Sequence, residues 1–348
     1  MDIAIESAGG VLDRRERDLE RGVGRGAFLK GHPPEYGMPT VSRYARRMAR
    51  YRPGTPDDTR ACFEIFETAV DDLGRRTGGN ANSTAGDPAA FDIRRPLFDH
   101  LAATGELWWI AEDEATGRPV GYARSIMRDG VRELTEFFVL PDAQSSGIGR
   151  GLLERAFPHD GARHRAIVAT IDTRAIARYL KTGLDARLPM IGWEGAPRDE
   201  PLATDLERER LDASAPQLDE LGLIDAAILD FRRDVDHRWL ASQREGWLYR
   251  RDGDAVGYGY HPSRPGWGGP YAALSPADLP VLLADGEAAA ARAGHAFVTF
   301  DTPMTARPAI DHLLVRGFRV DPFVMLVFTD GPVDRLDGYV LTSPPFFA

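Results

Sequence analysis

Cysteine is nearly absent. Among 348 residues only Cys62 is present, which excludes an internal disulfide and a cysteine-based metal cluster. Long apolar runs are missing too. The longest strongly apolar stretch is residues 323–328, far short of the roughly 20 needed to cross a bilayer. Residues 11–26 are mostly charge and glycine, so a basic-then-apolar leader is not expected. The eight histidines show no HxxxH or HxH spacing, so no metal is expected. Ser145 and Ser146 lie in no GxSxG elbow, and hydrolase chemistry has no support. A cytoplasmic globular protein of about two domains is expected from 348 residues with 43% apolar content. The net charge of −10 speaks against nucleic acid and for a cationic small partner. The arginines at 43, 46, 47, 50 and 52 accordingly read as a solvated basic face.

What is present centres on residues 134–157, LTEFFVLPDAQSSGIGRGLLERAF. An apolar run stops at Pro141 and Asp142, a short polar loop follows, and Leu152, Leu153, Ala156 and Phe157 then recur at helical spacing. Strand, glycine loop and helix start make an anion site. Unpaired N–H groups and the helix dipole point at the loop, and glycine lets a phosphate approach the backbone. A phosphate loop of the NTPase kind would need a Lys-Ser/Thr pair that is missing, and a GxGxxG fingerprint would need glycine at Leu152. The six residues from Gln144 to Gly149, QSSGIG, resemble instead the Q/R-x-x-G-x-G/A signature of the GNAT family of acyl-CoA N-acyltransferases.

Around this stretch the chain reads as a series of elements. Residues 1–47 are charge, glycine and turn chemistry, expected to be a poorly ordered extension with helix around residues 12–21. Residues 50–52 begin a strand. Thr55 and Pro56 then start a helix whose buried stripe is Cys62, Phe66, Ala69, Val70 and Leu73, which makes Cys62 a packed core thiol. A polar loop over 74–90 precedes a helix at 91–103, then strands at 106–112, 119–127, 134–140 and 166–171, and a helix at 174–181 stopped by Gly183. Residues 187–201 read as edges marked by arginine and proline.

The second half repeats the first. RPVGYARS at 118–125 returns as DAVGYGYH at 254–261, HRAIVATID at 164–172 as HAFVTFDT at 295–302, and AIARYLKTGL at 175–184 as AIDHLLVRGF at 309–318. Gly121 and Gly183 are 62 residues apart, and their counterparts Gly257 and Gly317 are 60 apart. One fold therefore occurs twice, joined near residues 195–213. The second copy has no GxG, and Pro276 and Pro280 lack backbone donors where the loop would be.

The duplication resembles tandem GNAT proteins, over residues 48–340. The resemblance implies an α/β (α+β) fold of two tandem GNAT-like domains, each a mixed, mostly antiparallel central sheet flanked by helices. Residues 1–47 are then an extension, 48–197 the acyl-CoA-binding catalytic domain and 198–348 a degenerate copy. It implies acetyl-CoA as co-substrate, with its pantetheine arm on the main chain of Phe138, Val139 and Leu140. Its pyrophosphate would lie on Gln144, Ser145, Ser146, Gly147, Ile148, Gly149, Arg150 and Gly151. Tyr179, four residues before Gly183, matches the family's Y-x-x-x-G-F general acid, although Leu184 replaces the phenylalanine and the second copy has Leu313 at the tyrosine position. Glu136 is the expected base, with Glu133 as its substitute. Alternation sets these two on opposite faces of the strand unless a bulge intervenes. The expected activity is N-acetylation of a small amine, without metal, nucleic acid or membrane, and a homodimer is left open. The runner-up readings are a mycothiol-synthase-like acetyltransferase and a non-catalytic acyl-CoA-binding sensor or scaffold.

Overall fold

A computed structural model describes residues 48–77, 84 and 86–342. The extension expected over 1–47 lies outside the described residues, as does part of the polar loop expected over 74–90. The first half runs β1 (Ala49–Pro53), α1 (Thr59–Thr77), α2 (Pro88–Thr104), β2 (Gly105–Asp113), β3 (Pro119–Arg128), β4 (Val131–Val139), α3 (Ile148–Ala156), β5 (His164–Thr170), α4 (Thr173–Lys181) and β6 (Asp185–Gly195). The second runs β7 (Glu207–Arg210), α5 (Ala215–Leu229), α6 (Asp234–Gln243), β8 (Gly246–Arg251), β9 (Asp254–Tyr260), β10 (Tyr271–Ala273), α7 (Leu279–Arg292), β11 (Val298–Pro303), α8 (Arg307–Val315), β12 (Arg319–Thr329) and β13 (Tyr339–Val340).

Local chemistry sets the helix starts. The Asp58 carboxylate accepts from Thr55 N–H at 2.8 Å ahead of α1. Asp87 accepts from Ala89 N–H at 2.9 Å with Pro88 at the first helical position, and Asp172 caps α4 by accepting from Arg174 N–H at 2.9 Å. Gly183, at φ +87°, ends α4 in the left-handed region.

Eight strands form one sheet in the order β1-β2-β3-β4-β5-β12-β6-β11, and five form a second in the order β13-β10-β9-β8-β7. Among the described residues the one parallel pair is β4 with β5. The three repeated segments fall on β3 and β9, β5 and β11, and α4 and α8, so the two halves follow one plan. They also exchange strands. β12 of the second half lies between β5 and β6, and β6 of the first lies between β12 and β11. The apolar run at 323–328 is therefore a strand paired on both sides, which explains its composition. Where edges were expected over 187–201, β6 is an eleven-residue strand. Pro189 inside it, next to a register shift at Arg187, disguises it in the sequence.

One apolar core runs across both halves. It joins Phe63, Phe98 and Tyr122 of the first to Leu221, Leu240 and Leu341 of the second, each such side chain contributing about 1.5–3 kcal/mol by burial. A buried ion network adds direction: Asp236 of α6 accepts from Arg128 of β3 at 2.6 and 2.8 Å, and its other neighbour is His100 of α2, at 2.7 Å. At the opposite edge Arg50 and Arg52 both pair with Glu112, at 2.6 Å each. These two arginines are thus held by a carboxylate, and residues 43, 46 and 47 lie outside the described residues. Cys62 is fully buried in the core, and burial pushes its thiol well above the usual range.

Candidate active site

The site grows from a failure of strand pairing. β4 and β5 pair only over Val131–Glu133 against His164–Ala166, then diverge. The opened V holds a cavity of about 290 Å³ lined by Thr135, Phe137 and Val139 of β4, Val168 and Thr170 of β5, and Phe66 of α1. Gln144 closes one end, and Arg178 and Tyr179 of α4 stand over one side.

A bulge shapes β4 at the same place. Arg124 pairs with Glu136 but Ser125 pairs with Leu134, leaving Thr135 as the extra residue. The extra residue brings Glu133, Glu136 and Phe138 to the face that meets α1 and the second half, while Leu134, Phe137 and Val139 pack on the α3–α4 side. The main chain alternates independently. Leu140 N–H donates to Val120 O at 2.9 Å while its carbonyl accepts from Ala143 N–H at 2.9 Å, and Phe138, two residues earlier, pairs with Tyr122 of β3. Phe137 and Val139 turn their peptide groups toward the cleft, where Val139 O accepts from Gln144 Nε2 at 3.0 Å.

The glycine loop ends in α3. Gly147 is the N-cap residue at φ +94° and no side chain caps the helix, so the first N–H groups, from Ile148 to Arg150, have no intrahelical partner. Ser145 also takes a positive φ, +65°. Gly151 N–H is already bonded to Gly147 O at 3.2 Å, and a Cβ at Gly151 would strike the Tyr51 ring. A Cβ at Gly149 would lie 3.1 Å from Phe137 Cζ and 3.5 Å from Arg178 Cζ. Ser146 Oγ donates to Ala143 O at 2.6 Å, bracing the turn. Arg150 points away and pairs with Glu154 at 2.7 Å. Arg178, which sequence reasoning missed, sits beside the loop, and its guanidinium makes no ion pair or hydrogen bond among the described residues. The signal for it was its place one residue before Tyr179 on the helix face that meets the loop.

Tyr179 is 6% exposed and lines the cavity. Its ring is held between Phe137 of β4 and Phe328 of β12, with centroids 6.2 and 5.4 Å away. Burial pushes the phenol pKa up. Glu136 is 1% exposed and does not line the cavity. It lies 3.1 Å from Arg124 Nε and accepts from the Tyr122 hydroxyl at 2.8 Å, with burial raising its carboxyl against the pull of both. Glu133, 5% exposed, lines a second cavity that shares Val168 with the first.

Among the described residues, the second-half counterpart of this cleft is filled. Between β10 and β11 runs the chain's own β13: Tyr271 pairs with Val340, and Leu341 N–H donates to Asp301 O at 2.9 Å. Where the glycine loop would be, Asp278 sits at the start of α7, paired with Arg251 at 2.9 Å.

Residues 104–183 match the family model described as an acetyltransferase (GNAT) domain. No curated protein matches the chain. Among solved structures, a protein from Pyrococcus horikoshii that carries an acetyltransferase designation aligns with TM-score 0.61 and 15% identity, over 92% of this chain and 96% of its own. A GCN5-related N-acetyltransferase from Sphaerobacter thermophilus aligns with TM-score 0.54 and 16% identity, over 82% and 96%. A tandem GNAT protein from the clavulanic acid biosynthesis pathway aligns with TM-score 0.51 and 15% identity, over 82% and 100%. At these identities the likeness is one of fold. The chain thus has a fold shared with a tandem GNAT protein, and its residues 104–183 match the model of a GNAT acetyltransferase domain.

Proposed function

We propose that the chain is an acetyl-CoA-dependent N-acetyltransferase with one active site, acting on a small amine. The observation that carries this reading is the cavity between the splayed β4 and β5, which has Gln144 at one end and Tyr179 on its wall, with the uncapped start of α3 following Gln144. The amides at that start, with Arg178 beside them, suit a pyrophosphate, and the cleft-facing peptides of Phe137 and Val139 suit the pantetheine amides.

The chemistry follows from position. The amine nitrogen forms a bond to the thioester carbonyl carbon and the carbon–sulfur bond breaks. The nitrogen loses a proton and the departing sulfur gains one. Tyr179, a protonated phenol at neutral pH, donates to sulfur. Of the two glutamates, Glu133 lines a cavity adjoining the cleft, whereas Glu136 is enclosed by Arg124 and Tyr122. Glu133 is therefore the better base, taking the amine proton directly or through water. The closed cleft between β10 and β11 supports a single acyl-CoA site per chain, with the second half a degenerate copy.

Release of coenzyme A thiol from acetyl-CoA, measured across an amine panel, tests this reading. Amine-dependent release is expected. Acetyl-CoA that binds but is never cleaved with any amine would make the chain a sensor instead.

A further inference from the structure

The cleft between β4 and β5 passes through the sheet. Its lining comes from both packed faces, with Ile167 and Tyr179 on the α3–α4 side and Phe66, Phe138 and Met325 on the α1 side. Ala69, Val70 and Leu73 of α1 complete the α1-side lobe, whose walls are therefore mainly apolar. Phe66 and Phe138 meet edge to face there, with centroids 5.1 Å apart and planes at 85°. Thr135 and Thr170 add hydroxyls from the strands, the first donating to Arg124 O at 3.1 Å. Among the described residues the one acid that lines the cavity is Asp172. Its carboxylate caps α4 and accepts from Arg76 at 3.0 Å and from Arg174 at 3.3 Å. Arg76, Arg174 and Arg178 all line the same cavity, so guanidinium groups outnumber the carboxylate.

We propose that the α1-side lobe receives the acceptor and that it admits an arylamine, a single aromatic ring whose amino group is uncharged at neutral pH. The inference rests on the acyl-CoA reading above, which lays the thioester arm along the β4–β5 opening and leaves this lobe to the nucleophile. An alkylammonium would shed its water beside arginines, with no unspent carboxylate to receive it. The net charge of −10 draws cations toward the chain at long range, but the cavity itself selects against them. An arylamine enters as the free base. Its nitrogen bonds to the thioester carbonyl carbon as the carbon–sulfur bond breaks, and it gives its proton to water as the new bond forms. No carboxylate is needed inside the lobe for that step. The ring suits the edge and face that Phe66 and Phe138 offer. A sugar or a polyamine would bring hydroxyls or charges that these walls leave unpaired. With about 290 Å³ for thioester arm and acceptor together, the cavity lies at the low end for ligand pockets, which limits the acceptor to one ring.

The test is calorimetric titration of the full chain saturated with coenzyme A, whose free thiol prevents turnover, at neutral pH. 4-Methylaniline and benzylamine are isomers, the first uncharged and the second cationic. 4-Methylaniline is expected to bind at least about tenfold more tightly than benzylamine, and to support thiol release when acetyl-CoA replaces coenzyme A. Ala69→Phe fills the lobe and should weaken 4-methylaniline at least about tenfold with coenzyme A still bound. Val70→Glu, at the exposed rim, should raise the affinity for benzylamine. Equal or tighter binding of benzylamine, glucosamine or spermidine by the wild type would overturn the arylamine assignment alone. So would unchanged 4-methylaniline affinity in an Ala69→Phe chain that binds coenzyme A, or thiol release with other amines but not with 4-methylaniline. Absence of coenzyme A binding by the wild type would overturn the reading beneath it. If Ala69→Phe does not fold, the isomer comparison in the wild type decides.

Discussion

Tyr179 packs its ring on Phe328 with 5.4 Å between centroids and 59° between planes, although the two residues come from opposite halves of the chain. Phe328 belongs to β12, the strand the second half inserts beside β5. The proposed general acid is therefore held by the half whose own counterpart of Tyr179 is Leu313. Phe328→Ala is expected to cost about 3–5 kcal/mol of stability, because the ring is fully buried. Phe328→Leu keeps most of the apolar volume but frees the Tyr179 ring, so kcat should fall on the order of tenfold with KM for acetyl-CoA little changed. An unchanged kcat in a folded Phe328→Leu protein would separate the strand exchange from catalysis.

Tyr179→Phe removes the proton donor and leaves the ring packing intact. Turnover should drop by about 10²–10⁴-fold while stabilisation by acetyl-CoA persists. Steady-state thiol release and a thermal melt check the two halves of that statement. Wild-type turnover in the phenylalanine variant would remove Tyr179 from the mechanism.

Gly151 is glycine for a packing reason. Its main chain lies against Tyr51, which donates to Ile148 O at 3.3 Å. Gly151→Ala should destabilise by about 1–3 kcal/mol through overpacking. Tyr51→Leu combined with it should cost less than the sum of the two single changes. Denaturant melts of the three variants measure the coupling, and strict additivity would contradict the contact.

Acid sensitivity has an assigned source. His261 is buried with neither ring nitrogen hydrogen-bonded, and burial, with Arg208 and Arg292 nearby, lowers its pKa to about 3. Below its unfolded value near 6.5 the unfolded chain takes up a proton that the folded chain refuses until about pH 3. Stability is thus full above pH 6.5 and falls as pH drops through that window, by up to a few kcal/mol from this one group. Asp225 acts lower: burial would raise it, but Arg233 and His237 hold it at about 2, so its contribution is lost only below the ordinary aspartate value. His261→Leu should flatten the stability profile between pH 6.5 and pH 4, measured by denaturant midpoints. A profile as steep as wild type would reject the assignment.

What was legible in the sequence lies within short stretches of chain. Gln144–Gly149 and Tyr179 are defined by spacing to a helix start and a helix stop, and of these Gln144 and Tyr179 line one cavity. The repeat was legible because three segments recur in order. What escaped depends on partners distant in sequence. Apolar content at 323–328 reports burial on both faces but not that β5 and β6 are the neighbours. Alternation along β4 loses count at Thr135, and the extra residue there brings Glu133 to the face of Glu136. Nothing near Glu136 in the sequence announces Arg124, twelve positions earlier on the neighbouring strand. The plug formed by β13 between β10 and β11 was equally hidden, since two strand residues carry little pattern.

Calorimetric titration of acetyl-CoA into the full chain and into Gly147→Glu bears most directly on the central claim, that the amides of residues 144–150 cradle the diphosphate of one ligand. One equivalent per wild-type chain is expected, and no heat of binding from the variant, whose added carboxylate would face the same amides. Two equivalents, or equal binding by the folded variant, would contradict it.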